Sequence, residues 1–248
     1  MEKVKIKSLF ISDVHLGSKK SHASKLVDVL KHYKFDNLFI LGDFMDLIAL
    51  KNKFYWKQSH SNVVQKILKL SKKDCKVVYI LGNHDAYIRH LLDGGMVNLG
   101  DIHICDDYIY NGIKGDIYLC HGDKWDGFIQ MNPWLYSIGD WFYELSMEIN
   151  KVINFFRRIF RMEYWSLSAY LKKKVKNAVK FLNDFENLVI KECKVKDVKK
   201  VMIGHIHNPK IDTIDGLTYY NTGDFCESCS FIVEELNGDI KLKFHKEL

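Results

Sequence analysis

The sequence predicts an α/β fold: a sheet-based core in two pieces, residues 1–124 and 195–248, interrupted by a helical insertion over 125–194. Three observations carry this. Apolar runs of strand length recur through the first half and return near the end, separated by stretches of helical periodicity. Five of those runs end in acids, amides or imidazoles, mostly around a glycine. From Trp125 to about Lys194 the strand signals vanish and long helical patterns replace them. With 248 residues, 47% hydrophobic and 13% aromatic, the chain can bury a large core and is not disordered.

The first strand is read over Val4 to Ser12, which alternates and then turns apolar before Asp13-Val14-His15-Leu16-Gly17. On an extended segment, side chains two apart share a face, so Asp13 and His15 would project together. An oxygen beside an imidazole suits a first-row metal, whereas a turn aspartate beside an incidental histidine is the plainer reading. Leu26, Val29, Leu30 and Tyr33 mark a helix over residues 22–33. Asn37 to Leu41 is a buried strand delivering Gly42-Asp43-Phe44-Met45-Asp46. A carboxylate has two oxygens and can bridge two cations, so Asp43, at a strand's carboxyl end, is read as the bridge that organises the rest.

Lys51 to Ser61 forms an aromatic, basic loop with Phe54, Tyr55 and Trp56, and a helix follows over Val63 to Leu70. Cys75 to Leu81, β-branched and apolar, reads as a central strand. It delivers Gly82-Asn83-His84-Asp85, three polar side chains that packing does not explain. Asn83 offers a neutral oxygen ligand, His84 a proton for a leaving group, and Asp85 a partner to orient His84. A helix N-cap at Asn83 or Asp85 can coexist with those roles. Residues 101–121 read as antiparallel strands with turns at Asn111-Gly112 and Gly115-Asp116, ending in His121-Gly122-Asp123.

In the insertion, Trp134 to Phe160 is apolar on more than one face. Leu171, Val175, Ala178, Leu182, Phe185 and Val189 make a stripe, with Lys172, Lys173, Lys174, Lys176 and Lys180 on the other faces. Helix packing with a solvated lysine face is the ordinary meaning. The aromatic excess beside Arg157, Arg158 and Arg161 also fits an apolar or interfacial surface with a phosphate-binding rim. Strand character returns over Val198 to Ile203, which leads into Gly204-His205-Ile206-His207-Asn208-Pro209. Tyr219 to Asp224 and the alternating Ser230 to Leu236 complete the sheet side.

A net charge of +6 suggests affinity for anions, whether phosphorylated substrates, acidic lipid or nucleic acid. Six scattered cysteines suit reduced, buried thiols of a cytoplasmic protein. The single Cys226-Glu227-Ser228-Cys229 pair lacks a second pair, so it is read as neither a zinc nor a redox site. Charges interrupt every apolar run before the ~18 residues of a spanning helix, and the chain opens on a strand pattern rather than a signal peptide. The expectation is a soluble protein that can still touch a membrane surface. Taken together, the strand-end blocks offer a bridging carboxylate and several nitrogen and oxygen ligands, the needs of a two-metal phosphoryl-transfer centre. That donor set favours manganese, with iron or zinc as alternatives.

The series DVHLG, GDFMD, GNHD, HGD and GHIH resembles, in order and spacing, the calcineurin-like metallophosphoesterase superfamily across nearly the whole chain. The cap after HGD and the segments FYWKQSHSNVVQKIL, YWSLSAYLKKKVKNAV and YYNTGDFCES are similar to its branch of UDP-2,3-diacylglucosamine pyrophosphatases. The resemblance implies a four-layer α-β-β-α sandwich with two divalent metals where the sheets meet. It assigns Asp13, His15, Asp43 and His207 to one metal, and Asp43, Asn83, His121 and His205 to the other. His84 protonates the leaving group or stabilises phosphoryl oxygens, and Asp46, Asp85 and Asp123 stand behind the site. Substrate contacts fall on Asn83, His84, His205 and the cap residues Lys173 and Lys176. Two positions depart from the branch, which carries arginine where this chain has His84 and usually glutamate where it has Asp46. The implied activity is cleavage of a phosphoanhydride, UDP-2,3-diacylglucosamine first, at the cytoplasmic face of the membrane. Its rivals are a nucleotide or nucleic-acid phosphodiesterase and a non-catalytic, metal-stabilised scaffold, against which the intact His84 argues.

Overall fold

The structure, a computed structural model, describes residues 3–73, 75–92, 95–128 and 185–248. In chain order the strands are β1 (Val4–Lys5), β2 (Ser8–Ile11), β3 (Tyr33–Lys34), β4 (Asn37–Leu41), β5 (Lys76–Ile80), β6 (Val97–Leu99) and β7 (Ile102–Cys105). They continue as β8 (Asp107–Gly112), β9 (Gly115–Cys120), β10 (Lys200–Ile203), β11 (Lys210–Ile214), β12 (Leu217–Asn221), β13 (Ser230–Glu234) and β14 (Ile240–Phe244). Among the described residues the helices are α1 (Ala23–His32), α2 (Leu47–Asn52), α3 (Gln58–Ser71) and α4, described over 185–195.

A seven-stranded sheet has the order β14-β13-β2-β4-β5-β7-β6, and a five-stranded sheet the order β11-β12-β10-β9-β8. In the first, β2, β4, β5 and β7 run parallel, so the loops leaving β2, β4 and β5 emerge along one edge. In the second, β9, β10 and β12 are parallel and carry the loops of His121, His205 and Gly223. Because strand side chains alternate, each apolar strand of the large sheet feeds two cores. Phe10, Phe39, Leu41, Val78 and Ile80 face the second sheet and meet Tyr110, Ile117, Leu119, Met202 and Tyr220. The rings of Phe10 and Phe39 stack there at 5.0 Å. Leu9, Ile11, Leu38, Ile40 and Val77 turn the other way, against Leu26 and Leu30 of α1 and Val63 and Ile67 of α3. On the far side of the second sheet, Lys124 Nζ donates to Tyr118 (2.7 Å) and to Glu192 of α4 (2.5 Å). Helix, sheet, sheet and helix thus follow one another, the layering expected from the sequence.

The chain divides into two compact units, Met1–Lys124 with Ile190–Leu248, and Trp125–Val189. Within the second, the buried rings of Trp125 and Phe185 meet edge to face at 5.6 Å. Most of the expected cap, including Trp134 to Phe160, Lys173 and Lys176, lies outside the described residues. Among the described residues no helix is long and apolar enough to cross a membrane.

Two expectations are corrected. The run Val4 to Ser12 is not one strand: β1 pairs with β3 in a separate ribbon and only β2 enters the large sheet. The region 101–121 is not one antiparallel set, since β7 joins β5 in parallel and only β8 and β9 form the hairpin. The sequence also gives no sign of β6, β11 and β14. All three are edge strands, which need not be apolar on two faces, and so their periodicity is weak.

Candidate metal centre

Backbone conformation marks the site before any side chain does. Asp13, His15, Asp43, His205 and His207 have φ between 48° and 65°, five of the eight non-glycine residues with positive φ among those described. Each left-handed residue costs on the order of 1 kcal/mol, so strain is concentrated where chemistry is expected. This corrects the picture of Asp13 and His15 on one strand face: β2 stops at Ile11, and both sit on a left-handed loop. That loop is zipped to the loop after β4 by Asp13 N–H to Gly42 O (3.1 Å) and His15 N–H to Asp43 O (2.9 Å). A Cβ on Gly42 would strike His121, one on Gly82 would strike Asp43, and one on Gly204 would strike Asp13. The strand-end glycines are therefore what let the ligand-bearing loops close on one another.

The side chains converge on Asp43. Its Oδ2 lies 3.4 Å from His121 Nε2, 3.8 Å from His15 Nε2 and 4.0 Å from His84 Nε2. Asp13 Oδ1 lies 3.2 Å from His207 Nε2 and 3.9 Å from His15 Nε2. Asn83 Oδ1 is 3.3 Å from His121 Nε2, and the ring of His205 packs beside that of His121 at 5.0 Å. Each of two histidines has one nitrogen anchored and the other turned inward. His121 Nδ1 donates to Leu41 O at 2.7 Å, and His15 Nδ1 lies 3.4 Å from Asp46. Such outer contacts fix the ring tautomer and orientation of a ligand histidine. Among the described residues three overlapping groups able to hold an ion result: Asp13/His15/His207, Asp13/Asp43/His121 and, further out, His15/Asp46/His84.

The charges of the site call for cations. Burial alone would raise the Asp13 carboxyl, yet the facing His207 holds it well below the usual carboxylate range. Burial likewise opposes ionisation of Asp43, and the charge of His121 prevails and lowers it. The same pairs act in reverse on the imidazoles, lifting His207 to about 9 and His121 well above its ordinary value against the effect of burial. Two buried carboxylates thus draw positive charge from His207 and His121. Among the described residues the buried Asp13 Oδ1 accepts no well-formed hydrogen bond, although His207 Nε2 lies 3.2 Å away. An orphaned buried carboxylate oxygen beside imidazole nitrogens is what a metal-binding set looks like, so the residues fit the group.

The residues behind the site differ from expectation in one respect. His84 is oriented by Asp46, not Asp85: its Nδ1 lies 2.8 Å from Asp46 Oδ1, and that bond is the main reason its pKa is raised. Asp46 also caps α2 by accepting from Ala49 N–H at 2.8 Å. Asp85 follows the histidine too closely to face its ring and instead accepts from Phe44 N–H, Gly82 N–H and the Tyr79 hydroxyl. Asp123 pairs with Arg89 at 2.8 Å, and the same guanidinium reaches Asp106 and Leu81 O. Tyr79, Arg89 and Asn221, whose amide donates to Gly204 O at 2.8 Å, went unnoticed in the sequence. Only the tyrosine inside an apolar run and the polar end of the strand at Asn221 offered any hint. Asp46→Asn keeps a capping oxygen but loses the charge. It is expected to lower kcat roughly 10- to 100-fold while shifting stability by under about 1 kcal/mol, as read by steady-state kinetics and urea titration.

Fold and site together define a class: a two-sheet α/β sandwich whose strand-end acids and imidazoles form a candidate metal centre. The chain belongs to the calcineurin-like phosphoesterase family, whose model matches residues 6–209. By family it is a metal-dependent phosphoesterase. Among solved structures it is similar to a "predicted phosphoesterase" of Streptococcus pneumoniae TIGR4, with 12% identity, 97% of this chain and 90% of that chain covered, and a TM-score of 0.43. It is similar to a novel archaeal phosphodiesterase with 11% identity, 96% and 99% covered, and a TM-score of 0.46. It is similar to Yfce, a phosphoesterase from E. coli, with 14% identity, 96% and 98% covered, and a TM-score of 0.45. No curated protein matches the chain. The family assignment rests on the sequence match.

Proposed function

We propose that the chain is a two-cation phosphohydrolase that uses water to cleave a phosphoanhydride. Asp13, His15, Asp43 and His207 would hold one ion, and Asp43, Asn83, His121 and His205 the other, with manganese as the first candidate. The observation that carries this is the placing of Asp43 Oδ2 within 4.0 Å of three inward-turned imidazole nitrogens, beside a second buried carboxylate. Divalent cations held there supply Lewis acidity toward phosphoryl oxygens and acidify water for attack on phosphorus. His84 supplies the proton for the departing phosphate oxygen. Its side chain is 30% exposed where His15 is 9% and His121 0%, so substrate can reach it, and Asp46 keeps its Nδ1 occupied and its Nε2 presented.

The substrate proposed first is UDP-2,3-diacylglucosamine, split into UMP and 2,3-diacylglucosamine 1-phosphate by an enzyme working at the cytoplasmic membrane face. An amphipathic substrate is supported by exposed apolar side chains next to the catalytic loops. Ile48 lies in α2 directly after Asp46, and Tyr87 and Leu91 lie in the 3-10 turn Ala86–Leu91 directly after Asp85. Lys173 and Lys176 are proposed to contact phosphate. His84 in place of the branch's arginine favours a second reading, a nucleotide or nucleic-acid phosphodiesterase with the same centre. With added Mn²⁺, UMP release from the diacylated UDP-sugar, and none from its deacylated form, supports the lipid nucleotide. Turnover of oligonucleotides or cyclic nucleotides with the lipid nucleotide ignored transfers the assignment to the second reading.

Cation binding also predicts a stability effect. Chelation should lower the melting temperature, and Mn²⁺ should restore it, the gain reaching about 2.7 kcal/mol at a hundredfold excess over Kd. Calorimetry showing the same melting with and without chelator would contradict the site.

A further inference from the structure

We propose that the buried hydroxyl of Tyr79, acting through Asp85, is a positioning group that sets the cation site made by Asp43, Asn83 and His121. The proposal rests on the two-cation reading above and goes beyond it by naming what holds one of its sites in register. Tyr79 lies within the apolar strand β5, with its ring turned toward the helical side and set against Phe44 edge to face at 5.7 Å. Burial keeps the proton on its hydroxyl, so the group donates, and it donates to Asp85 Oδ2. That carboxylate is fully buried. Its Oδ2 also accepts from Phe44 N–H at 2.9 Å, and its Oδ1 from Gly82 N–H at 2.5 Å.

Phe44 follows Asp43, and Gly82 precedes Asn83. One carboxylate therefore clasps the backbones of the two loops that present these donors, and Tyr79 is the only side chain seen bonding to it among the described residues. A second tie, His84 N–H to Asp43 Oδ1 at 2.8 Å, runs between the same loops. The other group of donors is held differently: His15 by Asp46, and Asp13 Oδ2 by His205 N–H at 3.0 Å. Because Asp43 serves both sites but Asn83 only one, removing the Tyr79 hydroxyl should be felt at both and far more strongly at the Asn83 site.

Tyr79→Phe keeps the ring and the core volume. Its control is Tyr110→Phe, which removes another buried hydroxyl from another buried carboxylate, Glu234, at the opposite end of β2 beside Ser8. Chelated protein is titrated with Mn²⁺ and followed by electron paramagnetic resonance, with Asn83→Ala identifying which binding step belongs to the Asn83 site. Wild type is expected to take up two ions. In Tyr79→Phe the Asn83 step should weaken roughly 10- to 100-fold and the other under about threefold, and activity should return at high Mn²⁺. Tyr110→Phe should bind both ions like wild type, whatever its melting temperature. Wild-type binding of both ions by Tyr79→Phe, or equal weakening of both steps, or the same loss in Tyr110→Phe, overturns the proposal. Uptake of fewer than two ions by wild type would instead sink the two-cation reading on which it rests.

Discussion

Replacing Asp43 by alanine is expected to reduce hydrolysis of bis-p-nitrophenyl phosphate in Mn²⁺ by roughly 10³-fold or more. Loss of one preorganised electrostatic contact typically costs 10²- to 10³-fold. Asp43 is assigned to both ions, and its Oδ1 also accepts His84 N–H, so its removal disturbs the ligands and the proton donor at once. Asp43→Asn separates charge from shape. Asparagine tolerates the left-handed backbone observed at this position and retains an acceptor for His84 N–H, but it lacks the charge that faces His121. It too should be nearly inactive, with bound metal reduced. Near-normal turnover by the asparagine variant would show that Asp43 is a structural turn residue and nothing more.

The second large effect is at His84, and there the leaving group decides the size. His84→Gln should lower kcat by about 10²- to 10⁴-fold on a phosphodiester with an alkyl leaving group, which needs a proton to depart. For p-nitrophenolate, already stable as an anion, the loss should stay within about tenfold, because little is gained from general acid catalysis there. Metal content should be unchanged, since His84 is assigned to neither ion. Kinetics on the two substrates alongside elemental analysis measure all three quantities. An equal loss on both would assign His84 to binding phosphoryl oxygens instead. The Asp46→Asn variant should show the same leaving-group pattern at smaller amplitude through His84, on top of a loss common to both substrates because Asp46 also anchors His15.

The strands that carry the site were legible in the sequence for a physical reason. β2, β4, β5, β9 and β10 are covered on both faces, so each is written as a continuous apolar run, and a carboxylate or imidazole at its end has no packing explanation. What the runs did not reveal was register. Asp43 and His121 meet because β4 and β9 lie in different sheets whose ends come together, a relation carried by pairing between residues far apart in the chain. The half-exposed edge strands β6, β11 and β14 left too little pattern to read. The left-handed conformation of Asp13 and His15 was hidden for a different reason: neither is a glycine, and strain at a functional loop runs against local preference. Tyr79 was concealed by its neighbours. In Val77-Val78-Tyr79-Ile80 a tyrosine counts as one more apolar residue, and only its hydroxyl's partner, Asp85, reveals a polar task. Asp85 itself was misread as orienting His84, since adjacency in sequence stood in for a geometry that Asp46 fulfils from another loop.

The most direct measurement is elemental analysis of active, extensively dialysed protein together with its turnover. Two transition ions per chain, activity lost in step with their removal and regained on adding Mn²⁺, is the predicted result. Full turnover by a sample free of such ions would contradict the account at its centre.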